Sequence, residues 1–124
     1  KPRRWKTPRC TFGKGRCTRP QAMDAMCKSH AKQVAAETLS KEVRLLGYCQ
    51  LKGMDTVRCG GVLQAAHIFP GGAYPRIKFD RQNLLCICAG HHRYYTERWP
   101  GWRAVVIQLI GLPTFEEVWA RSGA

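Results

Sequence analysis

Seven cysteines in 124 residues constrain this chain more than any apolar pattern does. A domain of this length buries a modest core, so something besides hydrophobic burial is expected to help hold it together. The cysteine count is odd, no signal-peptide pattern opens the chain, and four cysteines lie near a histidine or at metal-like spacing. Thiolates bound to metal in a reducing, cytoplasmic compartment therefore fit better than disulfides.

Two four-ligand sets can be drawn without sharing a residue. Cys88 and His91, inside "NLLCICAGHHRYYTERW", are three apart and face the same way on one helical turn, as a pair of zinc ligands must. Cys49 and Cys59 are their natural partners, although nine residues separate them where zinc knuckles usually have about two to four. The second set, Cys10, Cys17, Cys27 and His30, reads C-x6-C-x9-C-x2-H. It lies in a Pro- and Gly-rich segment with no core of its own, where metal binding would contribute folding free energy directly. Two structural zinc ions would leave Cys86 over, and strand alternation points that thiol into the core as a small hydrophobe. The plainer alternative is that some of these cysteines are buried thiols.

Charge points to the partner. Twenty-one basic residues against eight acidic ones leave a net charge of +13. Residues 1–32 carry ten of the basic residues against the single acid Asp24. Such a block suits a polyanion, most simply nucleic acid; a solvated tail with no specific partner is the alternative. The longest apolar run, "AVVIQLIGL", is interrupted by Gln108 and too short for a membrane span, so no membrane partner is expected.

Residues 1–30 read as loop, with prolines at 2, 8 and 20 and no apolar period. Val34, Leu39, Val43 and Leu46 then fall near helical spacing, predicting a helix from about Lys28 to Leu46 with Gly47 as its stop. "VLQAAHI", Val62 to Ile68, reads as a strand before the Pro70-Gly71-Gly72 loop, and Asn83 to Ile87 as a second short apolar run. A helix is expected from Ala89 to Trp99, where Pro100 would stop it, and another near Trp102–Ile110. Thr114 to Glu117 forms a capping-box pattern for a last short helix. Trp99, Trp102, Phe115 and Trp119 read as packing residues rather than base-stacking platforms.

Neighbouring side chains on a helix point about 100° apart, so His91 and His92 could hardly serve one ion together. With His91 and His30 given to zinc, His67 and His92 are unassigned. A metal-ligand histidine facing a general-base histidine on a basic surface suits phosphodiester hydrolysis.

"LQAAHIFPGG", followed by "NLLCICAGHHR" and preceded by a Cys-Gly pair, resembles the HNH endonucleases over residues 49–95, roughly two fifths of the chain. His67 matches the first H, Asn83 the N and His92 the final H, and His91 replaces a cysteine of the family's C-x-x-C-H. The resemblance implies an α+β fold with a small ββα-metal core, flanking helices and an N-terminal zinc-bound loop module. The expected organisation is a basic zinc-binding module at 1–30, a connecting helix at 31–47, the nuclease core at 48–100 and a helical tail packing on it at 101–124. "IKFDRQN" and the extra N-terminal cysteines look more loosely like phage-type recombination and repair nucleases.

The activity implied is that of a metal-dependent DNA endonuclease or nickase. His67 would deprotonate the attacking water, Asn83 would hold the base-bearing loop, and His92 would ligate a catalytic Mg2+ or Mn2+ ion. Arg76, Lys78, Arg81 and Arg93 flank the motif and could contact phosphates or simply be exposed surface. Many family members carry an ion-ligating acid or histidine just before the first H; here that position is Ala66. Asp80 is a possible substitute, but its place in "FDRQN" suits a turn cap better. Ala66 favours the rival reading, a non-catalytic double-zinc nucleic-acid-binding module. A zinc-stabilised protein-interaction adaptor is a third.

Overall fold

The computed structural model describes residues 28–124. The chain divides into two compact units, Lys1–Thr38 and Leu39–Ala124. The described part is mixed α+β. Helix α1 spans Lys28–Arg44 and is followed by strand β1 (Leu63–His67), strand β2 (Leu84–Cys88) and helices α2 (Ala89–Tyr95), α3 (Trp99–Ile110) and α4 (Leu112–Arg121). Among the described residues no helix is long and apolar enough to cross a membrane.

β1 and β2 pair antiparallel, with Leu63 opposite Cys88, Ala65 opposite Cys86 and His67 opposite Leu84. All five residues of β2 are buried, because each of its faces is covered. Leu85 and Ile87 enter the main core with Leu51, Ile68, Val106 and Val118. Leu84 and Cys86 join Val43, with Leu39 packed beside them. An uninterrupted apolar run such as "LLCIC" is what a strand buried on both sides requires. Cys86 is fully buried in that second cluster, as strand alternation suggests.

Four helix boundaries differ from the sequence-based expectation. α1 ends at Arg44, with Gly47 in the left-handed region (φ 81) just beyond it. α2 stops at Tyr95 rather than Trp99, where the chain turns through Thr96 and Glu97, the latter at φ 65. Pro100 begins α3 instead of ending α2: its missing N–H falls in the first helical turn, where that donor has no intrahelical partner to lose. The Thr114 pattern is not used as a cap either. α4 starts at Leu112 from Gly111, whose φ of 87 lets one residue close α3 and open α4.

The helical tail docks through Trp102, Val105 and Val106 of α3 and Phe115 and Val118 of α4, all buried. The Trp102 indole N–H donates to the Ile68 carbonyl at 3.0 Å, tying α3 to the residue just after β1. Trp102→Phe removes that donor and part of a buried ring, so it should cost about 1–3 kcal/mol in urea unfolding with an unchanged m-value.

Candidate metal centre and adjoining histidine cleft

Backbone contacts set the positions of four ligands before their side chains are considered. Gln50 N–H donates to the Cys86 carbonyl at 2.8 Å, and Gln50 Oε1 accepts from Cys86 N–H at 2.8 Å, so the Cys49 loop is docked along β2. Ala89 and Gly90 N–H groups donate to the Val62 and Gly60 carbonyls, drawing the Cys59-Gly60-Gly61 loop against the start of α2. This close approach needs glycines. A Cβ on Gly61, already at φ 78, would lie 2.8 Å from Ala89 Cβ, and one on Gly90 would lie 3.2 Å from the Arg58 carbonyl. Cys88 caps α2, its Sγ accepting from His91 N–H at 3.4 Å.

The result is a cluster of Cys49, Cys59, Cys88 and His91 whose ligand atoms all lie within 4.8 Å of one another. His91 Nδ1 is 3.6 Å from the sulfurs of Cys49 and Cys59 and 3.1 Å from that of Cys88. Zn–S bonds of about 2.3 Å and a Zn–N bond of about 2.0 Å at tetrahedral angles give S···N edges of about 3.5 Å. The cluster could therefore hold a metal ion such as zinc with little adjustment, as a closed site of three thiolates and one imidazole.

The electrostatics of the four groups favour a cation. Burial pushes the Cys88 thiol up, but hydrogen bonds from the His91 backbone, the His91 ring and the Gly60 N–H outweigh it and bring the thiol down to about 6. Cys59 reaches the surface, yet lost solvation and the sulfurs of Cys49 and Cys88 push it up to about 11. Three sulfurs this close cannot all ionise without a positive charge among them.

Asp55 completes the centre and was not visible as a candidate in the sequence. Its Oδ1 accepts from His91 Nε2–H at 2.9 Å and from Val57 N–H at 3.0 Å, and its Oδ2 accepts from the Tyr95 hydroxyl. Its carboxyl is desolvated, but the Tyr95 and His91 hydrogen bonds more than offset that and hold its pKa below the usual value. With a metal in the cluster, a carboxylate on the far ring nitrogen would fix the tautomer and direct the Nδ1 lone pair at that ion. "MDTV" carries no local signal of that role, because the pairing spans 36 positions.

The second proposed ligand set is different. Cys10, Cys17 and Cys27 lie outside the described residues, and His30 lies on α1, half-buried.

His67 and His92 line one cleft of about 340 Å³, together with Ala66, Thr96, Glu97 and Trp99. His67 Nε2 is 2.9 Å from the Lys78 carbonyl, and His92 Nδ1 is 2.7 Å from Gln64 Oε1. Both oxygens accept, so each contact is made when the ring nitrogen facing it carries a proton. The two rings are thus held through different nitrogens, Nε2 in His67 and Nδ1 in His92.

Asn83 is fully buried. Its Oδ1 accepts from Phe69 N–H at 2.8 Å, and its Nδ2 donates to the Phe69 and Ile77 carbonyls at 3.0 Å each. It thereby clamps both ends of the loop leading to Lys78, the residue that holds His67. Asp80 faces away from this work: Oδ1 caps the turn at Gln82 N–H, and Oδ2 accepts from Arg121 Nε at 2.7 Å. Arg76, Lys78, Arg81 and Arg93 are all exposed; Arg81 also donates to the Leu84 carbonyl at 3.0 Å. Among the described residues, Glu97 is the only carboxylate lining the cleft.

No protein-family model, curated protein or solved structure matches this chain.

Cys88→Ser should lower the zinc content of purified protein by one ion per chain and lower its melting temperature, while Cys86→Ala keeps its zinc. Asp55→Asn should retain the site but weaken zinc affinity about 10- to 100-fold in a chelator competition. Unchanged zinc in Cys88→Ser would remove the cluster from consideration.

Proposed function

We propose that residues 49–95 form a ββα-metal nuclease core of the HNH type and that the chain is a metal-dependent DNA endonuclease or nickase. The observation that carries this reading is the pair of histidines lining one cleft, each held through a different ring nitrogen. Two histidines so set serve different purposes, one taking a proton and the other ligating an ion.

His67 Nδ1 is the general base: it takes a proton from the attacking water, and the Lys78 carbonyl steadies the charged ring that results. Asn83 keeps that carbonyl in place by clamping the loop at Phe69 and Ile77. His92 Nε2 and the Glu97 carboxylate, on residues that line the same cleft, would be the protein donors to a hard divalent ion such as Mg2+ or Mn2+. When bound, that ion supplies charge neutralisation at the scissile phosphate and leaving oxygen. Glu97 answers the difficulty raised by Ala66, whose methyl group cannot ligate. The Cys3His zinc is structural in this scheme. It joins the Cys49 and Cys59 loops to α2 and so orients His92 through its neighbour His91. A second zinc on Cys10, Cys17, Cys27 and His30 belongs to the same reading.

Arg76, Lys78, Arg81 and Arg93 would meet phosphates around the cleft, and the basic block of residues 1–32 would add sequence-independent affinity. The alternative is a non-catalytic zinc module that binds nucleic acid; the specific observation in its favour is the buried, non-ligating Ala66 beside His67.

Nicking of supercoiled plasmid in Mg2+ or Mn2+ separates the two. His67→Ala should lose about 10²–10⁴-fold in rate while keeping its fold, zinc and DNA binding. His92→Ala should lose cleavage and keep its zinc, whereas His91→Ala should lose zinc and melt earlier. Cleavage by His67→Ala at the parent rate overturns the nuclease mechanism. Deleting residues 1–9 removes five positive charges and no proposed ligand. It should make the salt dependence of DNA binding shallower, and an unchanged slope would show that this arm does not contact DNA.

A further inference from the structure

Beside the histidine cleft lies a second recess, of about 400 Å³, that the cleavage scheme does not use. Its floor is Phe69, buried to 2 % exposure. The Phe69 ring centroid lies 5.1 Å from that of Trp119, 5.8 Å from Trp99 and 5.0 Å from Phe115. Tyr74 closes another side, 5.2 Å from Trp119 and nearly perpendicular to it at 71°. Packing does not consume these rings: Trp99 stays 43 % and Trp119 38 % exposed. The recess is also bordered by two charged side chains, Arg103, whose guanidinium lies 5.4 Å from the Phe115 centroid, and Glu116.

We propose that this recess binds one unpaired nucleobase of a DNA strand whose backbone crosses the histidine cleft. A preformed hollow with aromatic walls and a few polar groups is the form of a site for a flat, partly polar molecule, and its volume falls within the roughly 300–1,000 Å³ of such sites. Every base offers a π-face to an indole and edge groups that can pair with a guanidinium or a carboxylate. Trp99 lines both hollows and is their shared wall. A nucleotide next to a phosphate held at His67 and His92 therefore has its base within reach of the recess. Base pairs stacked in a duplex cannot enter, so the substrate class is DNA with an unpaired nucleotide near the cut, such as a gap, flap or branch. The proposal rests on the nuclease reading of the adjoining cleft.

The test is binding of single-stranded and duplex oligonucleotides by the full chain, carrying His67→Ala to prevent cleavage, in fluorescence anisotropy without added divalent ion. Trp119→Ala should weaken single-strand binding about 5- to 100-fold, as loss of one base–aromatic stack does, and leave duplex affinity unchanged. Trp119→Phe, which keeps a ring, should restore most of it. An abasic site walked along the strand supplies the decisive comparison. At one position it should weaken the Trp119 protein and cost nothing further in Trp119→Ala, whereas a merely structural loss would add to every abasic position alike. If DNA binds but no position couples to Trp119, the recess is not a base site while the nuclease reading stands. If no DNA binds, both fall. A dimer that Trp119→Ala converts to monomer would assign this face to self-association and overturn the proposal.

Discussion

The His91 imidazole is held from both ends, by Asp55 on Nε2 and by three sulfurs around Nδ1, and the rest of the Leu39–Ala124 unit is arranged around that grip. It gathers a loop after α1, a glycine-rich loop, the end of β2 and the first turn of α2 at one point. A two-stranded sheet is marginal in water, and a seven-residue helix is shorter than helices that persist without tertiary support. A fully buried ring beside a carboxylate and three thiols is costly unless every polar atom is matched, and among the described residues no buried side-chain polar atom is left without a partner.

The adjacent histidine inherits its geometry from this grip. On α2, residue 92 points about 100° away from residue 91, which carries it off the sulfurs and onto the cleft side, where Gln64 of β1 meets it. Side chains of β1 thus address α2 directly: Gln64 reaches His92, and Ala66 and His67 line the cleft beyond it. The small side chain at Ala66 leaves room for that cleft, and a larger one would fill space between the strand and the helix.

Local spacing made part of this readable from the sequence. Cys88 and His91 stand one turn apart, "LLCIC" is a strand buried on both faces, and Cys86 falls into the core by alternation. What spacing cannot convey is a partner far away in the chain. Asp55 and Gln64 each orient a histidine, at separations of 36 and 28 positions, and nothing in their neighbourhoods marks them. Pro100 was misread for a different reason: a proline is equally suited to ending one helix or beginning the next, and only the turn at Thr96 and Glu97 decides between them. The indoles of Trp99 and Trp119 read as packing groups, and both do pack on Phe69, yet each remains partly exposed.

Glu97 has a cost that bears on how this protein can change. A side chain with a Cβ in the left-handed region is less stable by about 1 kcal/mol than glycine in the same place, and asparagine tolerates it better than glutamate. Drift toward greater heat resistance would therefore favour glycine at position 97 and discard the carboxylate that, among the described residues, alone lines the cleft. Keeping glutamate there requires selection on something other than stability. A library screened on thermal tolerance and, separately, on the nicking proposed above would expose this conflict as opposite enrichment at a single codon.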